Sequence, residues 1–530
     1  MTARAECLAF FLAINFLLAV SAVGQARAED ESADAAVMLQ TLAQRRFGTL
    51  NAAELAMVRG AAMRNVVWLG PSNDPNSSDN DVKQAERWGD GRTVRAEVIR
   101  WLASDEQAGR YIHPSGPGFA GARVAGRIDF SYLRIQRPIT MLGCYIPDGI
   151  DLSEAHLQAI DLRRSRTGAI NADSAEIDGD VSMLRGDYGP VSLFRARIGG
   201  NLDFIGARVT NPGEDAILAM ESTVGGDADF HQGFTTDGIV DFRVARIGHS
   251  LSFHDARFVG GGDNGLNAER AVISGTVYWV DVTRTAHTIL DLSNVHAEGL
   301  SDDPGSWPAP GNLNIDGFVY GSLVDAPEDA ALRLKWLALE GPGYRPQPYQ
   351  QLARVLAAAG DDGGATQVLI AQRAAQRSHG NLSRIERLWN LVLQLTIGYG
   401  FRPLRAVWWM IGFVGAGTLL FALGYRMRIV TPTDAGAYAS FVKDGIAPAH
   451  YPEFNALAFS LEHFWPFVDL HQGLYWRPNP RACGDIQGRD TMAGRIPARL
   501  LRWYLWVHIV AGWTITPLLL AGLSGLIRPD

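Results

Sequence analysis

A seven-residue pattern recurs through the middle of this chain and restricts the possible folds more than any other feature of the sequence. It reads apolar, any residue, Gly, any residue, apolar, any residue, bulky. Copies begin at residues 124, 177, 198, 224, 247 and 273, with His replacing Gly in the copy at 247. From 177 to 273 the copies begin 21, 26, 23 and 26 residues apart, and the stretch from 124 to 177 is counted as two units. A repeat of this length predicts one solenoid coil per copy.

A finer five-residue rhythm runs inside the coils, most clearly in residues 150–179. Each group of five places a small or apolar residue two positions before a mostly apolar one. Such alternation predicts short strands, which eight or nine stacked coils would pair about 4.8 Å apart. The Gly of the motif predicts a corner with positive φ or close backbone approach. The rhythm places the side chains of Cys144, Leu202, Phe204 and Val209 inside and that of Arg208 outside.

The five-residue rhythm and the stretch ARIGGNLDFIGARV (196–209) resemble pentapeptide-repeat and related bacterial right-handed β-solenoid proteins, over roughly residues 118–324. Strict families keep a more regular A-(D/N)-L-x-x pattern and coils of twenty, and the longer coils here speak against DNA mimicry, known for some members. The order of segments, with VRAEVIRWL before the coils and two apolar spans after them, resembles bacterial pentapeptide-repeat-like membrane proteins of unassigned function. Some of these carry an oxidoreductase label, but this chain has no dinucleotide-binding fingerprint.

The N-terminus predicts export. Arg4, an apolar run from residue 8 to 23, and Ala26-Arg27-Ala28 match a signal peptide with an A-x-A cleavage site, so residues 1–28 are expected to be removed. The alternative is an uncleaved membrane anchor. Residues 29–117 contain helical spacing, with Asn51 and Glu54 in a capping-box arrangement, and predict a helical cap before the coils.

Helices are predicted after the coils. Residues 325–403 should hold a helical hairpin, Tyr349–Ala359 and Ala365–Arg377, followed by an interfacial helix. Residues 404–426 and 503–527 are long and apolar enough to span a membrane, with Trp residues near their starts. Small residues spaced by four, Gly412 with Ala416 and Ala521 with Gly525, would allow these two helices to pack closely.

The loop between the spans, residues 427–502, is expected in the cytoplasm. The predicted signal peptide would export the solenoid, so the chain after the first span should lie inside. Six arginines that flank the loop agree with that orientation: Arg426, Arg428, Arg489, Arg495, Arg499 and Arg502. Four arginines on the other side of the first span, Arg384, Arg387, Arg402 and Arg405, oppose it.

The segment Thr396-Ile397-Gly398-Tyr399-Gly400 differs by one methyl-scale change from the TVGYG filter of potassium channels. A filter needs a membrane helix on each side, and residues 325–392 offer none before it. Arg402 and Arg405 follow at once and would repel cations. We therefore interpret LSRIERLWNLVLQL as an amphipathic interfacial helix and GYGFRP as a bend into the membrane, with a pore as the minor alternative.

Residues 454–470, between the two spans, are apolar enough to lie on the membrane or dip into it. Their position is that of the pore helix of two-span channels, but Pro466-Phe467-Val468-Asp469 stands where a Gly-rich filter would be needed. An interfacial helix is the favoured interpretation and a re-entrant one the alternative.

Candidate polar residues in this region are few. Glu462, His463, Asp469 and His471 have residue types that bind metals, but their spacing matches no known motif, and solvated ends of an interfacial helix explain them. His508 lies inside the second span and is expected to bond a lipid headgroup or a backbone carbonyl.

The composition of the chain narrows the range of possible functions. A net charge of −8 disfavours nucleic-acid binding, and three cysteines in 530 residues indicate a fold independent of disulfides. Because the sequence has no catalytic motif, we assign no catalytic, cofactor or metal residue. The favoured function is a non-catalytic binding or scaffold module: a periplasmic β-solenoid anchored in the bacterial inner membrane, with lipid and envelope proteins as partners. The alternatives are a two-span channel or transporter subunit regulated by the solenoid and, third, a membrane-associated enzyme.

Overall fold

The computed structural model describes residues 32–64, 66–260, 264–479 and 492–524. The predicted signal peptide, Cys7, Cys483 and Gly525 lie outside these ranges. The chain forms two compact units, the first ending at Ala365 and the second beginning at Thr366.

The first unit is a β-solenoid of about nine turns, built from two sheets of parallel strands. Each coil crosses each sheet twice, so it has four faces. The strands of the 17-stranded first sheet are Val67–Trp68, Gly118–Ala120, Arg134–Ile135, Ile139–Leu142, His156–Leu157, Ile160–Asp161, Glu176–Ile177, Val181–Ser182, Arg197–Ile198, Leu202–Asp203, Thr223–Val224, Ala228–Asp229, Arg246–Ile247, Leu251–Ser252, Val272–Trp279, His296–Asp302 and Val319–Leu323.

The second sheet has 15 strands and closes the other side of each coil. Most strands in both sheets have only two residues, because a turn follows after every five residues of the rhythm. The strands of the second sheet are Thr93–Arg95, Arg123–Ala125, Ile128–Asp129, Tyr145–Ile146, Ile150–Asp151, Arg166–Thr167, Ile170–Asn171, Asp187–Tyr188, Val191–Ser192, Arg208–Leu218, Thr235–Asp241, Arg257–Val259, Asn264–Asn267, Thr288–Asp291 and Leu313–Asn314.

The register between coils confirms the repeat read from the sequence. The first positions of five motif copies, Ile177, Ile198, Val224, Ile247 and Ile273, are successive partners on one face. The same face runs from Arg134 through partners at 156, 176, 197, 223, 246, 272, 296 and 319. The coils are therefore of unequal length, as the uneven spacing of the motif predicts.

The motif copy at residue 124 occupies a different face from the others. Val124 pairs with Val94, and Ile128 pairs with Ile150, all in the second sheet. The stretch from 124 to 177 is therefore two and a half coils, and counting it as two units was wrong. All four faces share the same inward and outward alternation, so the motif alone does not identify the face.

The bulky last position of the motif fills the solenoid core. Phe204, Phe230 and Phe253 stack ring on ring, with centroids 5.2 and 5.0 Å apart, and Trp279 continues the column. All four side chains are almost fully buried. As predicted, Leu202, Phe204, Val209 and Cys144 face the core, while Arg208 is exposed.

The fourth motif position forms a ladder of polar side chains along the stack. In each rung, a side-chain oxygen accepts a hydrogen bond from the backbone N–H at the same position in the next coil, at 2.8 to 3.2 Å. The ladder runs Asp180, Asn201, Asp227, Ser250, Thr276. The neighbouring Gly residues need close approach rather than positive φ: a β-carbon on Gly200 would lie 2.1 Å from Asp180 Oδ1.

Positive φ occurs instead at a turn position that the sequence analysis did not identify. Most of these turns close with a bond such as Ala155 N–H to Leu152 O, 3.0 Å. The left-handed conformation costs a residue other than Gly about 1–2 kcal/mol, so the coil stack must impose it. Thirteen non-glycine residues have φ of 53° to 61° there: Tyr132, Glu154, Arg164, Ser174, Arg185, Arg195, Glu221, Gln232, Val244, Asp255, Arg270, Asp281 and Asn294.

Helices precede the coils, as expected from the sequence. The capping box of Asn51 and Glu54 is present. Two strands from this region, Val67–Trp68 and Thr93–Arg95, pair with the coils, which the sequence analysis did not predict. The helices are α1 (32–47), α2 (Ala52–Gly60), α3 (Ala96–Ser104) and α4 (Glu106–Gly109), with 3-10 turns at Ser78–Asn80, Val82–Arg87 and Asp90–Arg92.

The coils end against α5 (Ala330–Leu337), which the sequence analysis missed. Arg333 of α5 is fully buried and donates two hydrogen bonds to Asp302, at 2.7 and 2.9 Å. Trp307 Nε1 also donates to Asp302, at 2.7 Å, so the buried charge pair is well satisfied.

The predicted hairpin helices follow as α6 (Gln347–Ala358) and α7 (Asp362–His379), each slightly longer than expected. Side-chain amides of Gln347 and Gln351 donate to the carbonyls of Phe318 and Tyr320, at 2.9 and 2.6 Å. The last coil therefore has hydrogen-bond partners where no further coil follows.

The second unit contains the two long apolar helices. Its helices are α8 (Arg384–Ile397), α9 (Arg405–Arg426), α10 (Ala435–Asp444), α11 (Ala456–Phe464), α12 (Gln472–Tyr475) and α13 (Met492–Leu523), with a 3-10 turn at Gly398–Gly400. Strands Val430–Pro432 and Trp476–Pro478 pair with each other in a small antiparallel sheet. In α9 and in residues Ala498–Leu523 of α13, length and composition suffice to cross a membrane.

The core register predicts contrasting effects for two substitutions in one coil. Phe204→Asp removes a ring from the aromatic column and buries a carboxylate, so it should cost at least about 3 kcal/mol. Arg208→Ala, at an exposed position, should cost no more than about 0.5 kcal/mol. Hydrogen exchange should show faster exchange in the middle coils for Phe204→Asp only. Equal destabilisation by both variants would contradict the register.

The Cys144 thiol should be unreactive in the folded protein. Complete burial raises its pKa to about 12, so almost no thiolate exists at mildly alkaline pH. We expect iodoacetamide to modify Cys144 only after denaturation, as measured by peptide mass mapping. The same mapping without reductant should recover Cys144 unpaired, and a bridge from Cys144 to Cys483 would contradict the core assignment.

Candidate functional site

A cavity of about 640 Å³ lies between the loop that follows Trp68 and the turns of the early coils. Leu142 and Leu184 give it an apolar part, and polar residues of the loop cover one side. The cations on its wall are Lys83, Arg163, Arg164 and Arg185, and the acids are Asp81 and Asp187. Cations therefore outnumber acids on its surface.

Three of these cations have no carboxylate partner among the described residues. Arg163 is held by Asp161 in a two-pronged pair, at 2.7 to 2.9 Å. Arg164 donates to the neutral amide of Asn76, at 2.9 Å, while Lys83 and Arg185 make no side-chain ion pair with a described residue. The cavity therefore presents three cations without a paired carboxylate, with Asp81 and Asp187 as the acids elsewhere on its wall.

Arg164 and Arg185 occupy the same turn position on adjacent coils. Arg164 N–H donates to Leu184 O, which places the two arginines one rung apart, about 4.8 Å by strand spacing. Both have the left-handed backbone conformation, with φ of 61° and 54°. An anion bound between the two guanidinium groups would be stabilised by both of them. The flanking rungs carry Gly143 and Gly206, which leave room beside the guanidinium groups.

An acidic stripe lies on the first sheet, where Asp203 belongs to the coil next to that of Arg185. Burial, together with the charges of Asp229, Asp180 and Asp227, raises the pKa of the Asp203 carboxyl to about 6. Asp203 and Asp229 are direct partners in adjacent coils. Within the described ranges, no group of three or more His, Cys, Asp or Glu side chains is arranged to hold a metal ion.

The filter-like segment is the C-terminal cap of α8. Gly398, Tyr399 and Gly400 have φ of 55°, 59° and 89°, which end the helix and turn the chain towards α9. Tyr399 Oη donates to Asn390 Oδ1, at 2.7 Å, and Arg377 donates to Tyr399 Oη, at 3.3 Å. All five residues from 396 to 400 are buried. The predicted bend is confirmed, and the segment serves the packing of its own chain.

Residues 454–470 contain helix α11, which packs against both α9 and α13. Gly417 and Gly512 permit this, since a β-carbon on Gly512 would lie 1.7 Å from Phe464 O. At Gly412, which was expected to mediate close helix packing, a β-carbon would meet nothing within 4 Å. The two long helices do contact each other, but Gly412 does not lie at that contact.

His508 joins these three helices. It is completely buried, and its Nε2 lies 3.0 Å from Ser460 O, which can only accept, so Nε2 carries the proton. Ser460 Oγ donates instead to Val414 O, at 3.0 Å. Because Nε2 is a donor, His508 cannot act as a base towards Ser460. The expected carbonyl bond is confirmed, and it holds α11 against α13.

The four candidate polar residues of 454–471 do not come together in one site. Glu462 accepts hydrogen bonds from the backbone N–H groups of Gln472 and Gly473, at 2.7 and 3.2 Å. His463 Nδ1 lies 2.9 Å from Phe459 O. Asp469 and His471 form their own pair, 3.3 Å apart, on the exposed loop. Each group therefore has a local role.

No family model, curated protein or solved structure matches this chain.

The raised pKa of Asp203 predicts a specific pH dependence. The folded pKa lies above the unfolded value of about 3.9, so the folded state binds this proton more tightly, and stability falls as pH rises from about 4 to 6. Asp203→Asn should therefore stabilise the protein more at pH 7.5 than at pH 4.5, as measured by chemical denaturation. The control is Ser182→Asn, at the partner position of the adjacent coil, which changes no titrating group. A difference independent of pH would contradict the assignment.

Proposed function

We propose that this chain is a non-catalytic binding module. In the proposal, α9 and α13 anchor it in the bacterial inner membrane, and a right-handed, pentapeptide-repeat-like solenoid lies in the periplasm after cleavage of a signal peptide. Envelope proteins or their ligands would bind the solenoid, and lipid would surround the anchor.

The anchor is supported by the exposed apolar surface of the two long helices. Ile411 and Leu419 of α9, and Val510, Trp513 and Leu520 of α13, are all more than half exposed. Apolar patches of this extent on long helices are unfavourable in water and favourable in lipid. Exposed Ile385 and Leu388 of α8 fit an interfacial helix beside the anchor.

The proposal of a stable solenoid module is supported by the segments that cover the two ends of the solenoid. Helices and a 3-10 region precede the first coil, where Arg92 donates to Gly121 O, at 2.8 Å. Gln347 and Gln351 bond the final coil. We propose that these segments act as caps, which would keep solenoid ends from pairing with other chains.

The cavity beside Arg164 and Arg185 is the proposed binding site. The single observation that carries it is that these two guanidinium groups, on adjacent coils, have no carboxylate partner among the described residues. A ligand with two negatively charged groups would neutralise both arginines, with Lys83 as a third cation. The apolar wall formed by Leu142 and Leu184 would favour a ligand that also has an apolar portion.

Binding to this cavity can be tested with inorganic pyrophosphate as the probe. Calorimetric titration of the full-length protein in detergent should detect binding, and Arg185→Gln should weaken it at least tenfold, because a charge-assisted hydrogen bond is lost. Arg246→Gln is the matched control, since Arg246 is also an exposed solenoid arginine but lies outside the cavity. Equal loss with both variants would indicate non-specific charge attraction and contradict the site.

The proposed topology predicts opposite results for two fusions. Alkaline phosphatase is active only after export, so a fusion after residue 330 should be active and a fusion at residue 445 inactive. The reverse pattern would show that the export assignment is wrong.

A channel or transporter subunit is the second candidate. The observation that favours it is the position of α11, which packs against both apolar helices as a re-entrant segment would. Flux of ions into liposomes containing the purified protein would support this candidate, and its absence would favour the binding module.

A further inference from the structure

Helix α11 and the chain that follows it, up to strand Trp476–Pro478, form a hairpin of residues 456–475. It starts beside Phe421, which contacts Phe459 with ring centroids 4.9 Å apart, and reaches Phe464, which packs with Met410 and Ile515. It then returns, because Gln472 N–H bonds Glu462 and the Gln472 side chain accepts from Asn455 N–H, at 3.0 Å. The hairpin therefore enters and leaves on the same side.

The hairpin reaches the middle of the apolar helices. Phe464 O is in contact with Gly512, which lies close to the midpoint of the apolar stretch Ala498–Leu523. At a rise of about 1.5 Å per residue, this point is about 20 Å from either end of that stretch. If the helices cross a membrane with a core about 30 Å thick, Phe464 lies near its centre.

Polar groups are exposed on the returning arm within three residues of Gln472, which is bonded to Glu462, two residues before Phe464. The side chains of Asp469 and His471 are 75% and 67% exposed, and the bond between Gln472 and Glu462 holds this arm beside α11. Exposed apolar side chains, Phe467 and Leu470, lie next to them. Hydrocarbon cannot solvate an exposed carboxylate and imidazole, so the surface must be covered by protein or enclose water.

We propose that a second copy of this chain covers the hairpin, so that its returning arm packs against the same arm of the partner. The surface is suited to itself because it carries an acid and a base side by side, and a two-fold arrangement would bring Asp469 of each copy towards His471 of the other. Phe467 and Leu470 supply the apolar contact around them. This inference rests on the proposed membrane anchor.

Disulfide trapping in native membranes tests the contact. In the full chain with Cys144→Ala and Cys483→Ser, Leu470→Cys should give a covalent dimer on oxidation with copper phenanthroline. Val510→Cys is the control, because Val510 is also an exposed apolar residue of this unit but lines a groove that does not include the hairpin. Absence of the Leu470→Cys dimer, or equal dimer from both variants, would overturn the inference.

Two further measurements separate the contact from the anchor. Extraction of the protein by alkaline carbonate would overturn both, whereas a protein that stays in the membrane but gives no dimer would overturn the contact alone. Native mass spectrometry of the detergent-purified chain should show dimers or larger assemblies, and Asp469→Ala with His471→Ala should weaken them at least tenfold. Because both side chains are exposed, their loss should leave the fold intact, and unchanged assembly would contradict the proposed role of the pair.

Discussion

The hydrogen bonds between successive coils are the interaction on which the solenoid depends. A strand of two residues cannot be stable alone. Each coil therefore depends on backbone hydrogen bonds, donated to and accepted from the next coil in register. This explains why the sequence repeats and also where it is allowed to vary. In the coil from Arg197 to Thr223, which is one of the longer coils, the extra length is absorbed by one long strand, Arg208–Leu218, that joins two faces and shifts register within itself.

The sequence was sufficient for features that recur in every coil. Ile177, Ile198 and Phe204 were placed correctly because an apolar residue at a fixed position can only face inward in a stacked coil. Features made by residues far apart were not predictable. The pair of Arg333 and Asp302 joins two distant positions with no pattern to link them. The cavity was missed because Lys83 and Arg185 become neighbours only when a loop folds across the coils.

The helical unit shows the same limit. The sequence indicated two spans and the bend at Gly398 because apolar length and glycine are local signals. It did not indicate that α11 would pack against both α9 and α13, since that depends on Gly417 and Gly512 meeting Ser460 and Phe464. Once these contacts form, His508 needs no lipid or substrate, because Ser460 supplies its acceptor.

The ladder of bonds between coils also has a mechanical consequence. These bonds run along the direction of stacking, so tension applied along the stack loads every interface between coils equally, and the weakest interface opens first. Each coil that detaches would release its whole contour, about 70–90 Å of extended chain at roughly 3.3–3.6 Å per residue. A rod of this kind is stiff under compression from its packed aromatic column, yet under tension it lengthens in steps at low force and limits the load that reaches whatever holds its end.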